Sequence, residues 1–301
     1  MRALVTGATG FVGRRLLAQL EGPVVLSRDA ARAETSLKSF GVKAFSWNPE
    51  KPPPAEAFNG IDTVFHLAGD PVAEGRWTEA KKARIRDSRV EGTRNLVATL
   101  RAIGRGPQVL VGASAVGLYG DRGDEQLDEN SPPAHDFLAD VCRDWEREAN
   151  EARLLGIRVV PVRIGIVLGP QGGALSKMLT PFYLGLGSPL GSGRQYMPWI
   201  HIDDLVGIFL HAATHTSVTS AVNGVAPNPV TNREFTNCLG KVLGRPTFLP
   251  AVPPFVLRTM LGEFADVLLA SQRAYPVAAK QSGYVFQYPE LEPALRNILR
   301  K

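Results

Sequence analysis

Ala3-Leu4-Val5-Thr6-Gly7-Ala8-Thr9-Gly10-Phe11-Val12-Gly13, running on into Arg14-Arg15-Leu16-Leu17-Ala18-Gln19-Leu20, decides how the rest of the chain is read. Residues 3–6 are a short apolar run of strand character. Leu16, Leu17 and Leu20 fall on one face of a helix that begins at Arg14. Strand, glycine turn and helix in that order are the setting in which glycines mark a dinucleotide site. Each glycine has its own reason: one allows the tight turn, one lets backbone approach a pyrophosphate, and one lets helix pack closely on strand. The helix N-terminus then offers free N–H groups and a partial positive charge to phosphate. The spacing here is G-x-x-G-x-x-G, and plain turn glycines are the alternative reading.

The 301 residues suffice for one large domain or two small ones. Apolar content of 44% and charged content of 21% are those of an ordinary globular chain. The net charge of +5 is mild and scattered, apart from residues 76–89, which read as a solvated helix face. Nucleic acid is therefore not an expected partner; a small anionic molecule is. Cys142 and Cys238 lie too far apart in sequence to read as a disulfide framework or a metal motif. A reducing cytoplasm, no membrane span and no signal peptide are expected.

After the first helix, residues 23–27 read as a second strand ending in Ser27-Arg28. There, an acidic residue meets the ribose hydroxyl of NAD, whereas an arginine accommodates the phosphate of NADP. Ser27 and Arg28 suit a phosphate, although Asp29 follows at once; NADP(H) is expected ahead of NAD(H). Residues 42–47 are a third strand, and the prolines beyond them a loop. Residues 62–69 form a buried parallel strand whose end, Leu67-Ala68-Gly69, belongs at the cofactor edge. His66 inside it reads as a satisfied core histidine. Helix over 78–103, strand over 108–113, helix over 137–155 and strand over 157–162 complete the alternation. The fold class is therefore α/β, a Rossmann-type doubly wound parallel sheet, with a smaller and mostly helical C-terminal lobe. The division is expected at 1–170 and 171–301, with strands near 200–226 rejoining the sheet. In the second part, helices are expected through residue 210 after Trp199-Ile200-His201-Ile202-Asp203-Asp204, from the capping box 231–234 to 243, over 253–270 and over 289–299.

T-G-A-T-G-F-V-G, H-L-A-G, E-G-T-R-N-L, S-A-V-G-L-Y-G, W-I-H-I-D-D-L and N-G-V-A-P-N-P-V-T-N-R-E-F together resemble an extended short-chain dehydrogenase/reductase. L-A-G-D-P-V, R-W-T, K-x-x-R-I-R-D-S-R, D-F-L-A-D-V-C-R-D-W-E and P-W-I-H-I-D-D narrow the resemblance to the "epimerase family" proteins. These are atypical members related to nucleoside-diphosphate-sugar epimerases, with a family-specific C-terminal region. The resemblance implies NADP(H) binding and a homodimer through the two long helices, and names no substrate. The candidate cofactor contacts are Gly7, Thr9, Gly10, Phe11, Val12, Gly13, Ser27, Arg28, Leu67, Ala68, Gly69, Arg84, Arg89, Ala113, Arg163 and Val167.

The departures bear on chemistry. Extended members carry Tyr-x-x-x-Lys followed by a glutamate four residues on. With that glutamate on Glu146, Leu138 and Cys142 stand where the tyrosine and lysine belong. Ala115 replaces the usual serine, with Ser114 one position off, and Met197 replaces the arginine that clamps a sugar nucleotide; Arg194 is its nearest substitute. The remaining candidates are Tyr119 as a proton donor with Arg163 lowering its pKa, Ser114 as a carbonyl partner, Asp70 as a base, and Cys142 if exposed. Two functions stay open: an NADP(H)-dependent oxidoreductase or epimerase-like enzyme of a small, unidentified carbonyl or alcohol, and a non-catalytic NADP(H)-binding sensor or scaffold.

Overall fold

Adjacent residues of the central strands face opposite ways, and both faces are apolar. Leu4, Val64, Leu110 and Val159 enter one buried cluster, while Val5, Phe65, Val111 and Val160 enter another. This pattern requires helices on both sides of a parallel sheet. The computed structural model describes residues 1–104, 106–170 and 172–300. Strand β1 (Ala3–Thr6), helix α1 (Phe11–Leu17), β2 (Val24–Ser27), α2 (Ala30–Ser36), β3 (Lys43–Ser46), β4 (Thr63–His66), α3 (Glu79–Ile103) and β5 (Val109–Ala115) follow in order. Then come β6 (Gln126–Leu127), α4 (Phe137–Asn150), β7 (Arg158–Ile164), β8 (Ile166–Gly169), α5 (Gly173–Tyr183), β9 (Tyr196–Met197), β10 (Trp199–His201) and α6 (Ile202–Thr214). The chain closes with β11 (Val222–Gly224), β12 (Val230–Thr231), α7 (Asn232–Leu243), α8 (Pro254–Leu261), α9 (Phe264–Leu269), β13 (Arg273–Ala274), α10 (Val277–Gln281) and α11 (Leu291–Leu299).

Seven strands form one parallel sheet in the order β11-β7-β5-β4-β1-β2-β3. Strand order reverses between β1 and β4, which opens a crevice at their carboxyl ends. α1 and α6 cover one face, through Leu16, Leu17, Leu205 and Phe209; α3 and α4 cover the other, through Leu96, Leu100 and Ala149. A third core, built around Leu175, Trp199, Phe235, Leu239 and Leu295, belongs to the later part of the chain. β11 brings that part back to the sheet edge against β7. The boundary drawn at 170/171 falls on Gln171, outside the described residues.

Capping explains the helix starts. Thr78, Asp136 and Thr231 each accept a backbone N–H three residues ahead, and Thr231 and Glu234 complete a capping box. Two helices differ from expectation. The one over 253–270 is broken at Gly262, where φ of 64° ends α8 before α9 begins. The one over 137–155 ends at Asn150 and finishes as a 3₁₀ turn up to Gly156. Among the described residues no helix is long and apolar enough to cross a membrane.

Candidate functional site

The glycine loop has the shape its spacing demands. Gly7 has φ of 69°, and a Cβ there would lie 2.7 Å from the Leu67 carbonyl carbon and oxygen. At Gly13 a Cβ would lie 2.3 Å from the Gly7 oxygen and 2.7 Å from Ala8 Cα, so α1 packs onto the turn with no room for a methyl. Gly10, the N-cap of α1, donates to the Gly7 oxygen at 3.0 Å and carries no side chain to fill the helix end. Thr9 and Gly10 are exposed, and the first N–H groups of α1 have no side-chain cap, as a phosphate cradle requires. The Phe11 ring packs against Gly169, Gly172 and Gly173, which draws the turn after β8, and with it Val167, to the loop's flank.

Thr6 and His66 tie β1 to β4 just beneath. Thr6 Oγ1 accepts the N–H groups of Leu67 (3.1 Å) and Ala68 (3.0 Å), so its one proton goes to His66 Nδ1 at 2.8 Å. His66 Nε2 then donates to Thr93 Oγ1 at 2.9 Å. The ring is a neutral strut. Burial pushes its pKa down to about 4, so the unfolded chain takes up a proton first as pH falls. Stability is therefore lost from about pH 6.5 down towards 4, by roughly 2–3 kcal/mol from this group. Urea unfolding at pH 7 and pH 4 is expected to show that loss relative to His66→Gln, and equal pH dependence in the two proteins would refute it.

At the end of β2, Ser27 is half-buried and Arg28 exposed. Asp29 is the N-cap of α2, and its carboxylate accepts the Arg32 N–H at 2.9 Å. The acidic group that complicated the sequence reading is committed to its own helix. Arg14 crosses from the glycine loop, donating to Thr9 O and Ser36 O at 3.2 Å each.

The residues favoured for catalysis lie elsewhere, in a hydrogen-bonded knot where β5, β7 and β11 run side by side. Ser114, Arg163 and Asn223 are in register across the three strands. Ser114 Oγ donates to Glu146 Oε1 at 2.6 Å; Arg163 donates to both oxygens of Glu146, at 2.9 and 3.0 Å. Arg163 also reaches Tyr119 Oη (3.0 Å) and Glu129 O (2.8 Å), and Tyr119 donates to Asn223 Oδ1 at 2.7 Å. Tyr119 is fully buried and stands in a 3₁₀ turn beyond β5. The expectation that Arg163 lowers its pKa is corrected: burial outweighs the cation and pushes the phenol up to about 12. Ser114 is likewise enclosed, with its proton held by Glu146. Cys142 is buried and its thiol pushed up to about 12 by burial, an inert side chain in the position of the lysine. Ala113 is buried in β5, and Arg163 lies inside β7, one residue from its end.

Asp70, read as a base, is held at four points by one face of α3. Its carboxylate pairs with Lys81, and Arg84 Nε stands 4.0 Å from its other oxygen. Its N–H donates to Ser88 Oγ (2.9 Å), and its carbonyl accepts from Arg89 (3.0 Å), which also lies beneath Gly69. Residues 81, 84, 85, 88 and 89 follow the helical period, so the K-x-x-R-I-R-D-S-R spacing is one continuous grip. Lys81, 6% exposed, was missed by the sequence reading, although this spacing was its signal.

The loop after Asp70 is strapped down from both sides. The Trp77 ring packs edge-on to Phe137 at 5.3 Å and against Phe264 at 6.0 Å, and Lys177 donates to Ala73 O at 2.9 Å. The W-I-H-I-D-D segment serves the same union. Asp203 pairs with Arg15 of α1, and buried Asp204 accepts from Gln287 N (2.7 Å), Tyr288 N (2.9 Å) and Tyr284 Oη (3.1 Å). Met197 is buried against Asn232, while Arg194 is exposed. Among the described residues no three His, Cys, Asp or Glu side chains cluster to hold a metal.

Comparison with known proteins agrees with this architecture. Residues 3–223 match the NAD dependent epimerase/dehydratase family, and residues 252–298 a domain of unknown function, DUF1731. The Arabidopsis thaliana protein described as a chloroplastic epimerase family protein SDR39U1 homolog is 43% identical over 309 residues, covering 100% of this chain and 87% of its own. Epimerase family protein ML0860 of Mycobacterium leprae is 37% identical over 298 residues, covering 97% and 93%. The crystal structure of human epimerase family protein SDR39U1 with NADPH superposes with a TM-score of 0.88 at 36% identity, covering 100% of this chain and 99% of that one. A UDP-glucuronic acid 4-epimerase from Bacillus cereus, with UDP-glucuronic acid and NAD, shares the fold alone, at 17% identity and a TM-score of 0.79. The chain belongs to the NAD dependent epimerase/dehydratase family, as a relative of the epimerase family proteins.

Proposed function

We propose that this protein binds NADP(H) across the β1–β4 crevice and is an oxidoreductase or epimerase-like enzyme of a small carbonyl or alcohol. The carrying observation is the glycine loop, where Thr9 and Gly10 are exposed at an uncapped helix N-terminus and a Cβ at Gly7 or Gly13 has no room. Ser27 and Arg28 would take the adenosine phosphate, since Asp29 is occupied as a helix cap. The bound nicotinamide supplies hydride chemistry; the chain's part is to bind, orient and move the proton. The human relative crystallised with NADPH supports the same preference. Calorimetric titration with NADPH and NADH tests it. NADPH is expected to bind more tightly, and Arg28→Ala to weaken NADPH roughly tenfold or more, the worth of a charged phosphate contact, while NADH is unchanged. Equal loss for both cofactors would remove Arg28 from the phosphate site, and binding of neither would overturn the reading.

A second reading, a non-catalytic NADP(H)-binding sensor, is favoured by one observation: the hydroxyls of Ser114 and Tyr119 are buried and their protons are taken by Glu146 and Asn223. Consumption of NADPH with any carbonyl compound excludes it.

A further inference from the structure

Resting on the oxidoreductase reading, we propose that Lys81 holds the substrate's carbonyl oxygen and hands it a proton, in place of the missing Tyr-x-x-x-Lys pair. The argument begins with unused hydrogen-bond capacity. An ammonium has three donors, and among the described residues the Lys81 Nζ group has one partner, Asp70. Lys81 is 6% exposed, and a nearly enclosed cation whose donors are not all bonded is costly. An oxygen that gains negative charge as it reacts is the complement of such a donor pair.

Position supports this role. Ser27 and Arg28 end β2, on one side of β1; Asp70 follows β4, on the other. A cofactor with its adenosine over β2 and its pyrophosphate at Gly10 therefore runs its nicotinamide half across β4 and β5, beside Asp70 and Lys81. The first turns of α3 lie against those of α4, where the tyrosine and lysine of related enzymes would stand. Lys82 Nζ is 5.8 Å from the Phe137 ring centre, and the Arg89 guanidinium 5.1 Å from that of Trp145. Leu138 and Cys142 on α4 offer no acid, whereas the first turn of α3 carries Lys81. The effort spent on Asp70, gripped at carboxylate, N–H and carbonyl, places that ammonium rather than a free base. In carbonyl reduction the carbon receives hydride with both its electrons, the π pair moves to oxygen, and oxygen takes a proton from Nζ. The amine regains a proton from water at Asp70, whose side chain is 26% exposed. The products are the alcohol and the oxidised nicotinamide.

The test uses the full chain, NADPH, and 9,10-phenanthrenequinone and 4-nitrobenzaldehyde as carbonyl probes. Lys81→Met is expected to bind NADPH within about twofold of wild type and to lose roughly 100-fold or more in kcat, as removal of a proton donor does. Lys81→Arg, which keeps the charge and the grip on Asp70, guards against a folding defect and is expected to retain NADPH affinity with reduced kcat. A readout independent of turnover is acylation of Lys81 by acetic anhydride, followed by peptide mass spectrometry. Saturating NADPH is expected to slow it at Lys81 and leave exposed Lys38 unaffected. Undiminished turnover in Lys81→Met, or acylation of Lys81 indifferent to NADPH, overturns this proposal and leaves the oxidoreductase reading standing. Wild-type protein that binds NADPH and reduces neither probe counts against both, and failure to bind NADPH overturns the reading beneath them.

Discussion

Glu146→Ala is expected to destabilise the protein by about 3–5 kcal/mol, the cost of leaving a buried charge without its partner. Arg163 is 9% exposed, and two of its nitrogens give their bonds to the Glu146 carboxylate. Burial opposes charge on Arg163, and it is Glu146 that more than offsets this and holds the guanidinium charged. The Ser114 hydroxyl loses its acceptor in the same step. One feature works against the full penalty: a cavity of about 580 Å³ lined by Leu118, Ser131, Arg143, Glu146 and Arg163 admits water to the newly exposed guanidinium. Charge decides the size of the effect more than shape does, so Glu146→Gln, which keeps one acceptor oxygen, is expected to cost about half as much. Removing both charges in Glu146→Leu with Arg163→Met is expected to recover part of the loss, since no lone charge remains, although Ser114 would still lack its acceptor and Tyr119 would keep only Asn223. Urea unfolding of wild type and these three variants measures the series. A cost below about 1 kcal/mol for Glu146→Ala would show that the pair is solvated and that the knot does not brace the sheet edge.

Gly13→Ala is expected to abolish NADPH binding, by roughly 100-fold or more, and to cost about 3 kcal/mol of stability. The added methyl would stand 2.3 Å from the Gly7 oxygen and 2.7 Å from Ala8 Cα. Both are backbone atoms, and alanine has no rotamer by which to escape. α1 must therefore retreat from the turn, and its N-terminus retreats with it from the phosphate. Gly10→Ala meets one backbone oxygen at 3.2 Å, so a shift of a few tenths of an ångström accommodates it and a smaller loss is expected. Gly22→Ala separates backbone strain from crowding: φ is 51° with nothing within 4 Å, so about 1 kcal/mol is expected with NADPH affinity unchanged. Calorimetry and thermal unfolding on the three variants should rank them in that order. Tight NADPH binding by Gly13→Ala would mean that close helix–strand packing is not what forms the cradle.

What was legible in the chain is what depends on near neighbours. The glycine spacing at 7, 10 and 13, the capping box at 231–234, and the apolar runs of β4 and β5 carry their meaning within a few residues, because turn, helix and strand are decided by local sterics and periodicity. His66 was read correctly as core for the same reason: it closes a short apolar strand that is buried throughout. The break at Gly262 was missed because the apolar pattern of α8 resumes in α9, and periodicity does not register one residue of positive φ.

The character of the ionisable groups was not legible. Tyr119 reads as an available phenol until Asn223, 104 residues away, accepts its proton and the sheet edge closes over it. Asp70 reads as a free carboxylate until a helix face eleven to nineteen residues on surrounds it. Residue type and order establish the glycine cradle, the doubly wound sheet and the loss of the Tyr-x-x-x-Lys pair. Which acids are sealed and which donors stay unspent was settled by packing alone, because the free energy of a proton or a charge depends on the dielectric and the partners that distant segments bring to it.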